Sequence, residues 1–321
     1  MLSTYYVQEN QLKPAQEGDL RRARWIDLFD PSLEEEKRVE EELGISIPTR
    51  EEMREVESSS ELYRSDDAVF ITIRVVERGQ AGGARLASFT LILAHGQFIS
   101  LRYAHPKSFS IFLEHILKPN GYAVSAESLL LCLLETIVDR NADILEEVSD
   151  KLEPVSFQIF SGDTATNMDN IAATDLSRAL KKIGSAGETA SRVRQSLHSI
   201  GRALPFLKLQ IAEDEKLNTR LRTMTQDVQS LLDHDNFLQT QIQFLLDSNI
   251  GLISIQQNAI MKTLSVAAVV FLPPTLIGSI FGMNFQYMPE LRWHMGYPYA
   301  LGLMIFSAVC PLIYFRLRRW L

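Results

Sequence analysis

Cysteine is scarce: Cys132 and Cys310 are the only two in 321 residues. So few, so far apart, exclude a disulfide framework and cannot form a metal-ligand cluster by themselves. A basic excess is also missing. The 32 Lys and Arg against 40 Asp and Glu leave a net charge of −8, which argues against a general nucleic-acid binder. No Walker-type loop occurs, because the Gly-rich GQAGGAR at 79–85 lacks the Lys-Ser/Thr ending and reads as a hairpin turn. The first residues, MLSTYYVQENQLKPAQEGD, lack the apolar core of a signal peptide. No nucleophile, base and orienting group come together in a catalytic pattern, so an enzyme is not expected. With 46% hydrophobic and 22% charged residues, the averages describe an ordinary soluble chain, about two domains long at ~150 residues each.

The averages hide an uneven distribution. Residues 262–321 carry five basic residues and one acid, a balance of +4, so the first 261 carry 27 basic and 39 acidic residues, or −12. Between Lys262 and Glu290 lie 27 residues without any charge, and between Arg292 and Arg316 another 23. A helix needs about 20 mainly apolar residues to cross a bilayer core; the alternative is a pair of buried helices in a soluble core. Arg316, Arg318 and Arg319 follow the second stretch and Lys262 starts the first, so the positive-inside rule puts both ends in the cytoplasm. Tyr287, Trp293, Tyr297, Tyr299 and Trp320 suit interfacial positions. The expected layout is a cytoplasmic domain over 1–205, a long stalk helix over 206–260 and a transmembrane hairpin over 261–321. Its spans fall at about 261–282 and 296–315, with an outer loop at 283–295.

No proline occurs between Pro205 and Pro273, and one helix is predicted from about Glu213 to Phe271 or beyond. Leu217, Leu221, Met224, Val228, Leu231, Leu238, Ile242 and Leu245 make a packing seam with steps of three, four or seven. A second stripe is offset from it: Asp247, Gly251, Ser254, Asn258, Met261, Ser265, Ala268, Leu272, Thr275 and Ser279. It is mostly small or polar, with apolar members at Met261 and Leu272. Small residues favour close packing of transmembrane helices. The same stripe would line a water path if several copies surrounded an axis. Two helices alone cannot enclose a polar path, so conduction requires a cyclic assembly.

Gly282-Met283-Asn284 closes the first span and is followed by Met288-Pro289-Glu290-Leu291. Together with FLPPTLIGS upstream and YFRLRRWL downstream, this resembles the CorA family of divalent-cation channels, in its enterobacterial magnesium-transporting form. The likeness is concentrated in the last 75 residues or so, and the soluble part matches in length and layout. Phe281 stands where the family usually has tyrosine. The resemblance implies an α+β cytoplasmic domain followed by a stalk helix and a two-helix membrane hairpin, assembled as a funnel-shaped homopentamer in the inner membrane. It also implies an outer selectivity ring of Asn284 with the Gly282 carbonyl, beside Met283, and a polar ring of Thr275. Apolar constrictions would form at Leu272, Leu264 and Met261, with polar rings of Asn258 and Asp247 toward the cytoplasm. Mg²⁺ would be both cargo and regulator, with Co²⁺ or Ni²⁺ as further cargo. Glu290 near the mouth would raise the local cation concentration.

The remaining chain reads as short strands (STYYVQ, RWIDLF, AVFITIRVVE, ARLASFTLIL, QFISLRY) and a helix at 31–44. Helices follow at about 107–118, 125–158 and 167–203. SGDTAT (161–166) is expected to turn, and Gly201 to Pro205 to break the helix before the stalk. The acidic run at Glu34–Glu36 and Glu40–Glu42 reads as a solvated helix face, and His95, His105 and His115 as ordinary polar residues. His294, in the outer loop, could touch a softer cation. Carboxylates between subunits are implied to sense cytoplasmic Mg²⁺, the candidates being Asp66, Asp67, Asp227, Asp233 and Asp235. Two alternatives stay open: a relative that carries Zn²⁺, Ni²⁺ or Co²⁺, and a membrane-anchored sensor or scaffold without transport.

Overall fold

The computed structural model describes all residues except 9–10, 16–18, 55–60, 66, 80–82, 119–124, 161–172, 212–213, 284–285, 287, 290–292 and 319–321. The chain divides into two compact units. The first comprises 1–161 with 179–246, the second 162–178 with 247–321.

The first unit is built on a mixed sheet of β1 (Leu2–Gln8), β2 (Gln11–Ala15), β3 (Trp25–Phe29), β4 (Leu62–Ser65), β5 (Ala68–Arg78), β6 (Ala84–Ala94) and β7 (Gln97–Arg102). Its order is β2-β1-β3-β7-β6-β5-β4, and only β3 and β7 run parallel among these neighbours. Glycines frame the β5–β6 hairpin as the sequence suggests, with Gly79 N–H donating to the Gly83 carbonyl at 2.7 Å. The β6–β7 turn places His95 at φ 52° and Gly96 at φ 71°, the two positive values that a tight two-residue hairpin requires. Strands β5 and β7 are buried on both faces along most of their length, so they read as continuous apolar runs rather than alternating ones.

Helices cover both faces. On one lies α1 (Leu33–Leu43), which sends Val39 and Leu43 into a core with Ile26, Leu28, Phe70, Ile92 and Ile99. Ser32 and Glu35 form its capping box and Gly44, at φ 68°, ends it. The acidic run is partly structural: Glu40 accepts from Ile47 N–H at 2.8 Å, and Glu36 from the Tyr103 hydroxyl at 3.3 Å. On the other face Trp25 stacks on Tyr5 at 4.1 Å and meets Phe112 of α2 (Lys107–Ile116) edge-on at 5.4 Å. Beside it Asp27 and Arg102 form a buried ion pair at 2.7 Å.

Two long helices complete this unit, α3 (Ala126–Phe160) and most of α4 (Ala173–Gln210). The expected break at 201–205 does not occur: α4 continues through Gly201 and Pro205 to Gln210. Packing overrides the local preference, because Ala203, Leu204 and Leu207 are fully buried and hold the turn around the proline. The turn expected at 161–166 lies outside the described residues. α5 (Glu215–Phe281) is one uninterrupted helix, longer at its C-terminal end than Phe271. Its seam residues Leu217, Leu221, Met224, Val228, Leu238, Ile242 and Leu245 are buried in the first unit. The second unit holds the rest of α5 and α6 (Gly296–Leu317).

Candidate ion pathway

The stripe predicted from sequence lies wholly in the second unit, and each of its ten members is exposed in the single chain. The least exposed row of the same stretch is Lys262, Val266, Val270, Pro273, Ile277 and Phe281. At 3.6 residues per turn this row runs along the opposite side of α5. It is the side that meets α6, since a Cβ on Gly278 next to it would stand 3.2 Å from Met304 Cε. α6 answers with its own less exposed row, Gly296, Ala300, Met304, Ser307, Pro311 and Phe315. The contact with α6 thus uses one side of α5 and leaves the polar stripe exposed on the other.

The chemistry of the stripe is that of an oxygen ladder with apolar interruptions. Ser254, Ser265 and Thr275 donate their hydroxyl protons to the carbonyls of Ile250, Met261 and Phe271 at 3.0, 2.8 and 2.7 Å. With the proton held inside the helix, each hydroxyl presents lone pairs outward and acts as an acceptor. Pro273 and Pro274 have no N–H to give to the carbonyls of Val269 and Val270. Met261, Leu264 and Leu272 are 61%, 59% and 66% exposed. Asn258 and Asp247 are exposed toward the helix's N-terminal side. Gly282 and Met283 are exposed just past the helix end, where their N–H groups donate to the Gly278 and Ile280 carbonyls at 3.0 and 3.3 Å. Asn284 and Glu290 lie outside the described residues.

The apolar windows of α5 and α6 are only 6% and 11% buried. A core helix of a soluble protein hides such a surface, so the buried-pair alternative fails and both helices are candidate membrane spans.

The carboxylates proposed as sensors fall into different environments. Asp67, Asp227 and Asp233 are exposed, Asp67 beside Arg64 at 3.9 Å and Asp233 accepting from Gln229 at 3.2 Å. Asp235 is instead fully buried and paired with Arg194, so its charge is already answered within the chain. Asp66 lies outside the described residues. The sequence reading missed an acidic row on α3: burial pushes the Asp139 carboxyl up, and Glu135, Asp143 and Asp227 push it further the same way. Its signal was available, since Glu135, Asp139 and Asp143 are spaced four apart. Among the described residues, no three His, Cys, Asp or Glu side chains gather as a metal-holding group.

An α/β unit joined by one long helix to an apolar hairpin has the layout of a membrane protein with two candidate spans. The family model described as CorA-like Mg²⁺ transporter protein matches residues 21–319, and the chain belongs to that family. The magnesium transport protein CorA of Sodalis glossinidius is 32% identical over 324 residues, covering 100% of both chains. The protein of the same description from Escherichia coli K12 gives the same identity and coverage. The likeness therefore extends through the soluble part, beyond the C-terminal residues that first suggested it. Among solved structures, the complete CorA magnesium transporter from Methanocaldococcus jannaschii shares the fold with a TM-score of 0.70 at 20% identity, covering 100% of this chain and 99% of that one. The full-length CmaX protein does so with 0.67 at 16%, covering 100% and 98%. Membership of a transporter family agrees with the expectation that the chain is not an enzyme.

Proposed function

We propose that this chain forms a homopentameric Mg²⁺ channel of the inner membrane, with both termini in the cytoplasm and the exposed side of α5 facing the axis. The observation that carries this reading is the division of α5: one side packs on α6 and the other presents an exposed polar stripe. Repeated around an axis, the stripe becomes rings of Asp247, Asn258 and Thr275 separated by constrictions at Met261, Leu264 and Leu272. Apolar constrictions gate by dewetting.

Mg²⁺ holds its octahedral water shell tightly. Outward hydroxyl, amide and carbonyl oxygens accept hydrogen bonds from those waters, so the ion passes without being stripped. Asn284, with the Gly282 carbonyl next to Met283, forms the outer ring in this reading, and Glu290 concentrates cations at the mouth. The potential supplies ~2.3 kcal/mol per charge per 100 mV, hence about 4.6 kcal/mol for a divalent ion, so uptake needs no nucleotide hydrolysis. Exposed Asp67, Asp227 and Asp233, with the neighbouring Asp66, sense cytoplasmic Mg²⁺ between subunits: unneutralised they repel, and bound ions bridge them. Asp235, already paired, is the weakest member of that set.

Ion flux into proteoliposomes tests this. Wild type takes up Mg²⁺ faster as the interior becomes more negative, and Asn284→Ala loses roughly tenfold or more of that flux or its preference over Co²⁺ and Ni²⁺. Equal flux and preference in both proteins would remove the asparagine ring, and no flux under any potential would return the chain to an anchored scaffold. With internal Mg²⁺ varied, the D227A/D233A protein closes only at several-fold higher concentration; unchanged closure would place the sensor elsewhere.

A further inference from the structure

The acidic first unit contains a cavity of opposite character. It measures about 420 Å³ and lies where the end of the β5–β6 hairpin meets the start of α2 and the sides of α3 and α4. Arg78, Lys107, Arg140 and Lys151 line it against only Glu77 and Glu147. Four cations and two carboxylates leave an excess of +2 in a chain whose net charge is −8.

The cations are not equivalent. Arg140 is committed, donating to Asp143 at 3.1 Å and to Glu147 at 2.9 Å. Arg78, Lys107 and Lys151 have no ion-pair partner among the described residues, and all three are exposed at the cavity rim. Their convergence shows in Glu147. Burial pushes that carboxyl up, yet Arg140, Lys151 and Arg78 together hold it below the usual carboxylate range.

A relay adds a neutral donor. Arg102 Nη1 lies 3.0 Å from His105 Nδ1. A guanidinium can only donate, so Nδ1 is the acceptor and the ring proton sits on Nε2. Nε2 then donates to Ser110 Oγ at 3.1 Å, which leaves the Ser110 hydroxyl proton for the cavity it lines. Burial and the Arg102 charge both push the His105 pKa down, in agreement with a neutral ring. The first turn of α2 borders the same space through Pro106, Lys107 and Ser110, and it carries no side-chain cap. Val76, Ala84, Pro106 and Ile144 supply apolar wall.

We propose that this cavity is a binding site for a diphosphate group, either free or carried by a nucleotide. Two or more negative charges match the excess of two cations, and the space far exceeds what one phosphate fills. Arg78, Lys107 and Lys151 bind its oxygens by charge-assisted contacts, Ser110 donates a neutral one, and the apolar wall accommodates a nucleoside. The site is separate from the ion pathway, and its occupancy is read without any transport.

Calorimetric titration of the full-length protein in detergent, in Mg²⁺-free buffer, tests it with pyrophosphate, ADP and orthophosphate. Pyrophosphate and ADP are expected to bind saturably, orthophosphate at least tenfold more weakly, and the R78Q/K151Q variant about tenfold or more weakly for both diphosphates. Tighter binding of ADP than of pyrophosphate identifies the nucleotide as the source, and equal binding the free diphosphate. Absence of saturable binding, orthophosphate binding as tightly, or binding unaffected in a normally folded R78Q/K151Q protein would overturn the assignment. Both substituted side chains are exposed, so circular dichroism distinguishes loss of the site from loss of the fold.

Discussion

The two units use the same apolar residue types against different solvents. In the first, Trp25, Phe89, Phe98 and Phe112 are completely buried; in the second, Phe271, Leu272 and Phe306 are 71%, 66% and 72% exposed. Water drives the first arrangement. It would drive the second together as well, and the hairpin instead keeps a contact on one side of α5 and leaves the rest open. Lipid, as apolar as the side chains, removes the hydrophobic drive, so apolar faces stay open. The comparison also explains why a polar stripe survives on α5: in the first unit Asp27 is buried against its partner Arg102, whereas the stripe stays exposed on the side of α5 away from α6.

Truncation is the strongest way to break this comparison. Trp25→Ala removes a stacked ring whose Nε1 donates to Ser100 at 3.0 Å and should cost about 3–5 kcal/mol. Phe271→Ala should leave the same transition within about 0.5 kcal/mol. Urea unfolding followed by circular dichroism checks both, and equal losses would mean that the hairpin is packed like a core. Next in size, Gly278→Leu pushes into Met304 and should loosen the α5–α6 contact by about 1–3 kcal/mol. Gly302→Leu, with nothing within 4 Å, should be neutral. Amide exchange along α6 reports the difference, and equal exchange in both variants would deny the contact its role.

The smallest effect concerns acid stability of the first unit. Glu147 is held below its ordinary value despite burial, so its contribution is present above about pH 4.5 and is lost as pH falls through the lower folded value. Because the pair with Arg140 is partly exposed, Glu147→Gln should flatten the acid limb by less than about 1 kcal/mol. A limb that steepens would mean that the carboxylate is not held by its neighbouring cations.

What the sequence revealed and concealed follows the same division. The hairpin was legible because an uncharged run and a three-four rhythm are local signals, and α5 carries both without interruption. Strands β2 and β4 were not legible: QLKPA contains a proline and LYRS is short and half polar, and edge strands carry weak patterns. Gly201 and Pro205 spoke for a break, and only the burial of Leu204 and Leu207 explains why none forms. Among the sensor candidates, Asp235 looks like Asp233 in sequence, yet Arg194, 41 residues earlier, neutralises it. Such partners follow from packing, not from spacing. Membership of the transporter family came from the short Gly-Met-Asn segment in its context, while the basic cavity was invisible, since its lining residues come from elements far apart in the chain.

Accessibility along α5 tests the central claim most directly. Cys132 is buried, with burial pushing its thiol up to about 11, so it is an unreactive background, and the exposed Cys310 is replaced by alanine. Single cysteines are then placed at Thr275 and Ser279 on the stripe, and at Val270 and Ile277 on the side facing α6. A water-soluble thiol reagent should block Mg²⁺ flux through the first two and leave the last two unaffected. Block at Val270 and Ile277 with free passage at Thr275 and Ser279 would contradict the account.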